Sequence, residues 1–238
     1  MEKQRQYRHE YKFLIDEREK AQLYYRLKNL IPLDAHAGED GHYWIRSVYF
    51  DDYRDSCFYE NEDGINERAK YRIRIYNVSD EKIQLERKSK KNGMTCKESV
   101  PLTREQCDLL LRGVSFPIED GYAEVLKQFL VLVMSRGMRA KTIVEYERIP
   151  FIYRLGNVRV TFDRNITSSM EVGRFFEKDN LRYPVLAKGQ QLMEVKFDEY
   201  LPAFIRDNLE IGRLQQTSFS KYYLGRKYTV PCAGGRLR

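Results

Sequence analysis

Apolar and charged residues alternate along several short stretches of the chain, and a period of two marks a strand with one buried and one polar face. Over residues 6 to 15, Tyr7, His9, Tyr11, Phe13 and Ile15 share one side, while Arg8, Glu10 and Lys12 share the other. The alternation is most regular over 67 to 77, where Ala69, Tyr71, Ile73 and Ile75 stand against Arg68, Lys70, Arg72 and Arg74. The same pattern predicts strands over 43 to 50, 82 to 91, 94 to 100, 141 to 149, 157 to 163 and 191 to 198, with Asn92-Gly93 as a two-residue hairpin turn. Between them lie helices. Asp16 with Glu19 forms a capping box for a helix to about Leu30, and Thr103 with Gln106 forms one for a helix ending near Gly113. Val125, Leu126, Phe129, Leu130 and Val133 have helical spacing within 122 to 136. Amphipathic helices can cover the apolar side of the sheet, leaving the charged side on an open sheet's solvated face or inside a barrel.

That charged side is unbalanced. Arg8, Lys12, Arg46, Lys70, Arg72, Arg74, Lys88, Arg148, Arg159 and Lys196 face only Glu10, Glu86, Asp163 and Glu194. Unpaired buried charge costs several kcal/mol, so such a lining calls for water and an anionic ligand. Glu10-Tyr11-Lys12, Glu86-Arg87-Lys88 and Glu194-Val195-Lys196 each put a carboxylate and an ammonium on one face. Carboxylates among many cations make sense for phosphate when they hold a divalent metal that bridges phosphate oxygens to protein. Arg8, Arg46, Lys70 and Lys90 read as rim cations, and Tyr222 and Tyr223 as core.

Composition narrows the choice. No fixed-period repeat, low-complexity tract or Pro/Gly/Ser-rich linker divides the 238 residues, which predicts a single domain over 1–238. A formal charge of +7 favours anionic partners. The longest apolar run, Phe129 to Met134, is far short of the roughly 20 residues of a membrane span. The charged start lacks a secretory h-region, and Cys57, Cys96, Cys107 and Cys232 show no CxxC spacing, so free thiols and a cytoplasmic location are expected. P-loop, GxGxxG and GxSxG signatures are absent. His9 lies on the apolar side, where a packing role is expected. The aromatics lie mainly opposite the cations, which disfavours a stacking platform for single-stranded nucleic acid.

The ordered set YRHEYKFLI, RSVYFDD, YRIRIYN, QLERK, VEYER, VRVTFDRNI, MEVKF and SFSKYYLG resembles the catalytic domain of the vacuolar transporter chaperone family, the polyphosphate polymerases among the triphosphate tunnel metalloenzymes. The resemblance implies an α+β fold: a closed antiparallel eight-stranded β-barrel with a charged interior and helices outside. It implies metal-dependent transfer of the terminal phosphoryl group of ATP to inorganic polyphosphate. The alternatives on the same tunnel are hydrolysis of tripolyphosphate or a nucleoside triphosphate, or non-catalytic polyanion binding. Carried over by position, Lys12, Arg72, Arg74, Lys88, Arg148, Arg159, Lys196, Ser220 and Lys221 are phosphate ligands, with Arg72, Arg74, Lys88, Arg148 and Arg159 also catalytic. Glu194 is the metal ligand for Mn2+ or Mg2+, with Glu86 and Glu10 as further metal or water-positioning groups. The implied partners are ATP and polyphosphate, not nucleic acid, and a membrane partner would place the chain at a membrane's inner face.

Overall fold

The computed structural model describes residues 7–210 and 214–227. Eight long strands form one antiparallel sheet: β1 (His9–Ile15), β2 (Tyr43–Asp51), β3 (Arg68–Tyr76), β4 (Ser79–Lys91), β5 (Met94–Pro101), β6 (Arg139–Tyr153), β7 (Val158–Ser169) and β9 (Gln191–Phe197). Their order across the sheet is β1-β9-β7-β6-β2-β3-β4-β5, and the two-residue β8 (Tyr183–Pro184) pairs with β7. Among the described residues, six α-helices accompany the sheet: α1 (Glu17–Lys28), α2 (Ser56–Glu62), α3 (Arg104–Leu111), α4 (Glu124–Ser135), α5 (Ala203–Asn208) and α6 (Lys221–Arg226).

Local signals explain most boundaries. Both expected capping boxes form: Asp16 accepts from the Glu19 amide at 2.7 Å while Glu19 reaches back, and Thr103 and Gln106 do the same for α3. Asn92 and Gly93 both take positive φ, 50° and 79°, as the tight β4–β5 hairpin requires. β4 begins at Ser79, earlier than the alternation suggests, because Asn77 and Val78 make a second positive-φ turn without glycine. That turn is docked on β2, where Asn77 bonds the backbone of Trp44 in both directions. β6 and β7 also run past their expected ends.

The sheet curls, with helices on its outer face. α3 and α4 cover Val48, Ile73, Ile75 and Leu85, with Phe129 stacked on Tyr71 at 4.9 Å. Leu23 and Leu27 of α1 and Ile205 of α5 cover Phe13, Val160, Met193 and Val195. Each such apolar side chain contributes about 1.5–3 kcal/mol when fully buried. A third cluster lies within the curl, where Phe219 and Tyr222 pack on Tyr49, Val144, Tyr146 and Leu192. His9 stacks on Phe197 with 5.0 Å between rings, the packing role expected of it.

The expected closure is met only in part. End strands β1 and β5 meet at one bridge, Arg8 with Thr95, whose amides and carbonyls exchange bonds of 2.9 and 3.0 Å. Farther along β1, Phe13 bridges to Gln216 and the Thr217 amide donates to the Lys12 carbonyl at 2.8 Å. The sheet is thus a curled half-barrel whose seam is covered by the segment leading into α6. Among the described residues, no helix is long and apolar enough to cross a membrane. Cys57, Cys96 and Cys107 are free thiols, and Cys232 lies outside the described residues.

Candidate active site

The concave face encloses a cavity of about 720 Å3. Strand alternation aims Glu10 and Lys12 of β1, Lys70, Arg72 and Arg74 of β3, Lys88 and Lys90 of β4, Arg148 of β6, and Glu194 and Lys196 of β9 into it. Ser220 and Lys221 enter from the start of α6. Ten of the twelve side chains singled out from the sequence therefore share one cavity, and Glu86 and Arg159 do not line it.

The antiparallel register of β1 and β9 turns two Glu-x-Lys repeats into a crossed square: Glu10 opposes Lys196, and Lys12 opposes Glu194. Lys196 Nζ lies 3.3 Å from Glu10 and 2.8 Å from Glu194, so one ammonium spans both carboxylates. Lys88 Nζ approaches both Glu10 oxygens at 2.9 and 2.6 Å. Lys221 holds Glu194 at 3.1 Å and Asp163 at 2.6 Å. Burial alone would raise the Glu10 pKa, but Lys12, Lys88 and Lys196 outweigh it and hold the carboxyl well below its ordinary range. Glu194 is depressed likewise, burial being overcome by Lys196, Lys221, Lys12 and Arg148. Both groups are carboxylates at any physiological pH.

Deeper lie the arginines. Arg72 donates from Nε to Glu86 at 2.7 Å and from Nη1 to the Tyr49 hydroxyl at 2.9 Å. Arg74 bonds Ser47 at 3.2 Å and the Tyr146 hydroxyl at 3.3 Å, and lies 3.7 Å from Glu86. Arg148 is bidentate to Asp163, with both bonds 2.7 Å. Burial would lower its pKa, but Asp163 and the neighbouring Tyr146 raise it, so its charge is permanent. Glu86, gripped by Arg72, Arg74 and Lys97, compensates the arginines from behind the cavity wall. Arg159 reaches instead to Asp34 at 3.0 Å and the Tyr43 hydroxyl at 2.7 Å.

Two rim assignments are corrected. Arg46 points to the opposite face, fully buried, where it pairs with Glu145 and donates to the carbonyls of Phe175 and Glu177. Glu145 faces it across the β2–β6 register, a match that strand alternation alone does not reveal. Lys70 lies inside the cavity, bonded to Asn61 and Ser220 at 3.1 Å each. Burial first, and then the charge of Arg68, push its pKa down to about 8. Tyr222 is core as expected, yet it also lines the cavity.

The sequence reading missed Tyr49, Tyr146 and Asp163 as parts of the site. Tyr49 and Tyr146 sit on the charged side of β2 and β6 and orient Arg72 and Arg74 through their hydroxyls. Asp163 was visible only as one of few carboxylates, and its partners Arg148 and Lys221 come from distant parts of the chain.

Among the described residues, no three His, Cys, Asp or Glu side chains form a ready metal cage. Glu10 and Glu194 nevertheless fit a hard divalent cation: they are oxygen donors, ionised, and face a common ammonium. Mg2+-like ions are commonly held by one or two carboxylates, with the remaining positions filled by phosphate and water. The donor set fits a metal that arrives with phosphate. Tetrahedral sulfur or imidazole coordination has no donors in this cavity.

A cavity that joins the permanently charged Arg72, Arg74 and Arg148 to several lysines and two carboxylates can bind a linear polyphosphate and neutralise charge along it. Solved structures share the fold, two of them as follows. A putative adenylate cyclase from Bacillus halodurans superposes with a TM-score of 0.56 at 14% identity, covering 91% of this chain and 95% of its own. A putative adenylyl cyclase from Hippeastrum, described as having a dominant triphosphatase activity, gives 0.54 at 13% identity, covering 94% and 98%. No curated protein sequence matches the chain. The VTC domain family model matches residues 7–230, a range that includes every described residue: the chain belongs to the VTC domain family.

Proposed function

We propose that the chain is a single catalytic unit that transfers the terminal phosphoryl group of ATP to inorganic polyphosphate, with Mn2+ or Mg2+ as cofactor. The observation that supports this reading is the series of cavity cations along β3 and β4, Arg68 beside Lys90 and Lys70 beside Lys88, followed by Arg72 and Arg74, with Arg148 contributed by β6. A lengthening polyanion needs such a track, because each added phosphate must find a positive neighbour.

Phosphoryl transfer asks little covalent work of a protein; in-line positioning and charge neutralisation supply most of the catalysis. Arg72, Arg74 and Arg148 would grip non-bridging oxygens of the triphosphate, their planes fixed by Tyr49, Tyr146 and Asp163. Lys12, Lys70, Lys88 and Lys196 would act as point charges that can follow the moving phosphates, Lys221 as a fixed one held by Asp163 and Glu194, and Ser220 offers a hydroxyl. A metal held by Glu194 and Glu10 would neutralise charge on the transferring group. Arg159, outside the cavity lining, would serve a phosphate beyond it.

Hydrolysis of a triphosphate on the same cavity differs only in whether water or a phosphate chain reaches the phosphorus. The Hippeastrum neighbour's triphosphatase activity keeps that second reading in play. Purified protein incubated with ATP and Mn2+ or Mg2+, scored for long polyphosphate and for free phosphate, separates the two: chain growth is expected, and phosphate release without polymer would overturn the transferase.

A further inference from the structure

We infer that Lys196 is an internal stand-in for the metal: its ammonium occupies the space between Glu10 and Glu194 in the free protein and must pass to a phosphate oxygen before a divalent cation can enter. The inference rests on the reading of these two glutamates as metal carboxylates and adds an order of binding to it.

The argument begins with the register. Because Glu10 opposes Lys196 and sits two residues from Lys12, which opposes Glu194, the four charges alternate around a square. Lys12 acts on both carboxylates through its charge but pairs closely with neither: its Nζ donates to the Phe219 carbonyl at 2.7 Å and stays 4.0 Å from Glu194. Lys88 and Lys221 each serve one of the pair. Lys196 alone among these four lysines has an ion-pair distance to both. Its side chain is 26% exposed and borders the cavity, so its ammonium is free to swing toward a ligand without unpacking the core.

Two consequences follow from charge alone. A free metal ion must displace an ammonium that then has no new anionic partner, so the empty cavity resists bare Mn2+ or Mg2+. When a triphosphate enters with the metal, its oxygens receive the displaced ammonium, so metal and phosphate strengthen each other's binding, and the coupling is reciprocal. The cavity thereby selects the metal–triphosphate complex over either component.

The test is Mn2+ binding followed by the loss of its free-ion EPR signal, with and without the β,γ-imido analogue of ATP, on the full chain. Lys196→Met is expected to bind Mn2+ without nucleotide at least about tenfold tighter than wild type, since removing a cation beside two carboxylates favours another. It should also show less tightening when the analogue is added. Lys196→Arg, which keeps the charge, should stay near the wild-type value, and circular dichroism confirms that each variant is folded. If Lys196→Met gains no affinity for bare Mn2+ while wild type binds Mn2+ with the analogue and Glu194→Gln does not, the stand-in role is wrong and the metal site stands. If Glu194→Gln binds like wild type, both are overturned. Should Lys196→Met not fold, Lys196→Gln carries the same expectation.

Discussion

Arg148 shows how the site and the fold share residues. It is 5% exposed, bidentate to Asp163, and 3.4 Å from Glu194. Removing Arg148 takes both bidentate bonds from Asp163 and leaves it only Lys221, at 2.6 Å, so the cost should approach the about 3–5 kcal/mol typical of a broken buried pair. Arg148→Ala is therefore expected to lower the melting temperature markedly as well as abolish turnover, and an unchanged melt would contradict the burial. Arg72→Ala should be milder in folding, because Glu86 keeps Arg74 and Lys97, while losing about 1.5–3 kcal/mol of triphosphate affinity with its charge-assisted contacts. Isothermal titration of the folded variant reads that loss directly. Lys70 gives a pH signature. With its pKa lowered to about 8 from 10.5, its protonated form is disfavoured in the folded state. Stability from this group is therefore lowest below pH 8 and recovers as pH rises toward 10.5, whereas phosphate affinity falls through the same interval as the ammonium is lost. Lys70→Arg should flatten both trends, and parallel rather than opposed slopes in wild type would refute the assignment. Lys221, in α6, came only from the resemblance, whereas the charged residues of the strands were legible from their alternation. Their partners were not: Arg72 finds Tyr49 and Glu86 through two different strand neighbours, and register is a tertiary property.

Among the elements, α6 is the one through which the C-terminal part of the chain enters the site. Six residues are too few to leave a periodic signal in the sequence. Its hold is polar: Tyr222 donates to Asp51, and Arg226 reaches Asp55 at 2.6 Å and the Tyr222 hydroxyl at 3.1 Å. Asp51 in turn accepts the amides of Cys57 and Phe58 at the start of α2, so α2 and α6 are fastened to one carboxylate. Tyr222→Phe is expected to cost about 1–3 kcal/mol by leaving these groups short of a partner. It should also weaken tripolyphosphate binding, since Lys221 and Ser220 lose their anchor. A thermal melt with a ligand titration checks both, and a variant that melts and binds as wild type would remove α6 from the account. The strands themselves were plain in the alternation, but the Asn77-Val78 turn was hidden because it lacks the glycine that ordinarily signals such geometry.

For the molecule as a whole, the net charge of +7 is concentrated where the cavity cations gather. Binding of a polyanion should then weaken steeply with added salt, and at low salt longer polyphosphates should bind tighter than tripolyphosphate until the track is filled. Competition against ATP in a chain-length series measures this, and equal affinity at every length would favour hydrolysis over polymer growth. The two-sided strands and covering helices left open whether the sheet lies flat or curls, and only the resemblance pointed to a barrel; the single-bridge seam between β1 and β5 depends on how far the curl goes, which no local pattern encodes.

That seam has a consequence for how the protein is made. The wall of the cavity needs β1 beside β9, and Lys12 is bonded to the Phe219 carbonyl, 207 positions away. During synthesis, β2 to β5 can pair among themselves as they emerge, yet the carboxylate square cannot exist until β9 has left the ribosome, and the seam stays uncovered until Gln216 and Thr217 follow. Contacts of such long range form slowly. The cations of β3 and β4 can gather early, but the two carboxylates that would hold a metal cannot, so metal-dependent triphosphate binding is expected only after β9 has joined β1.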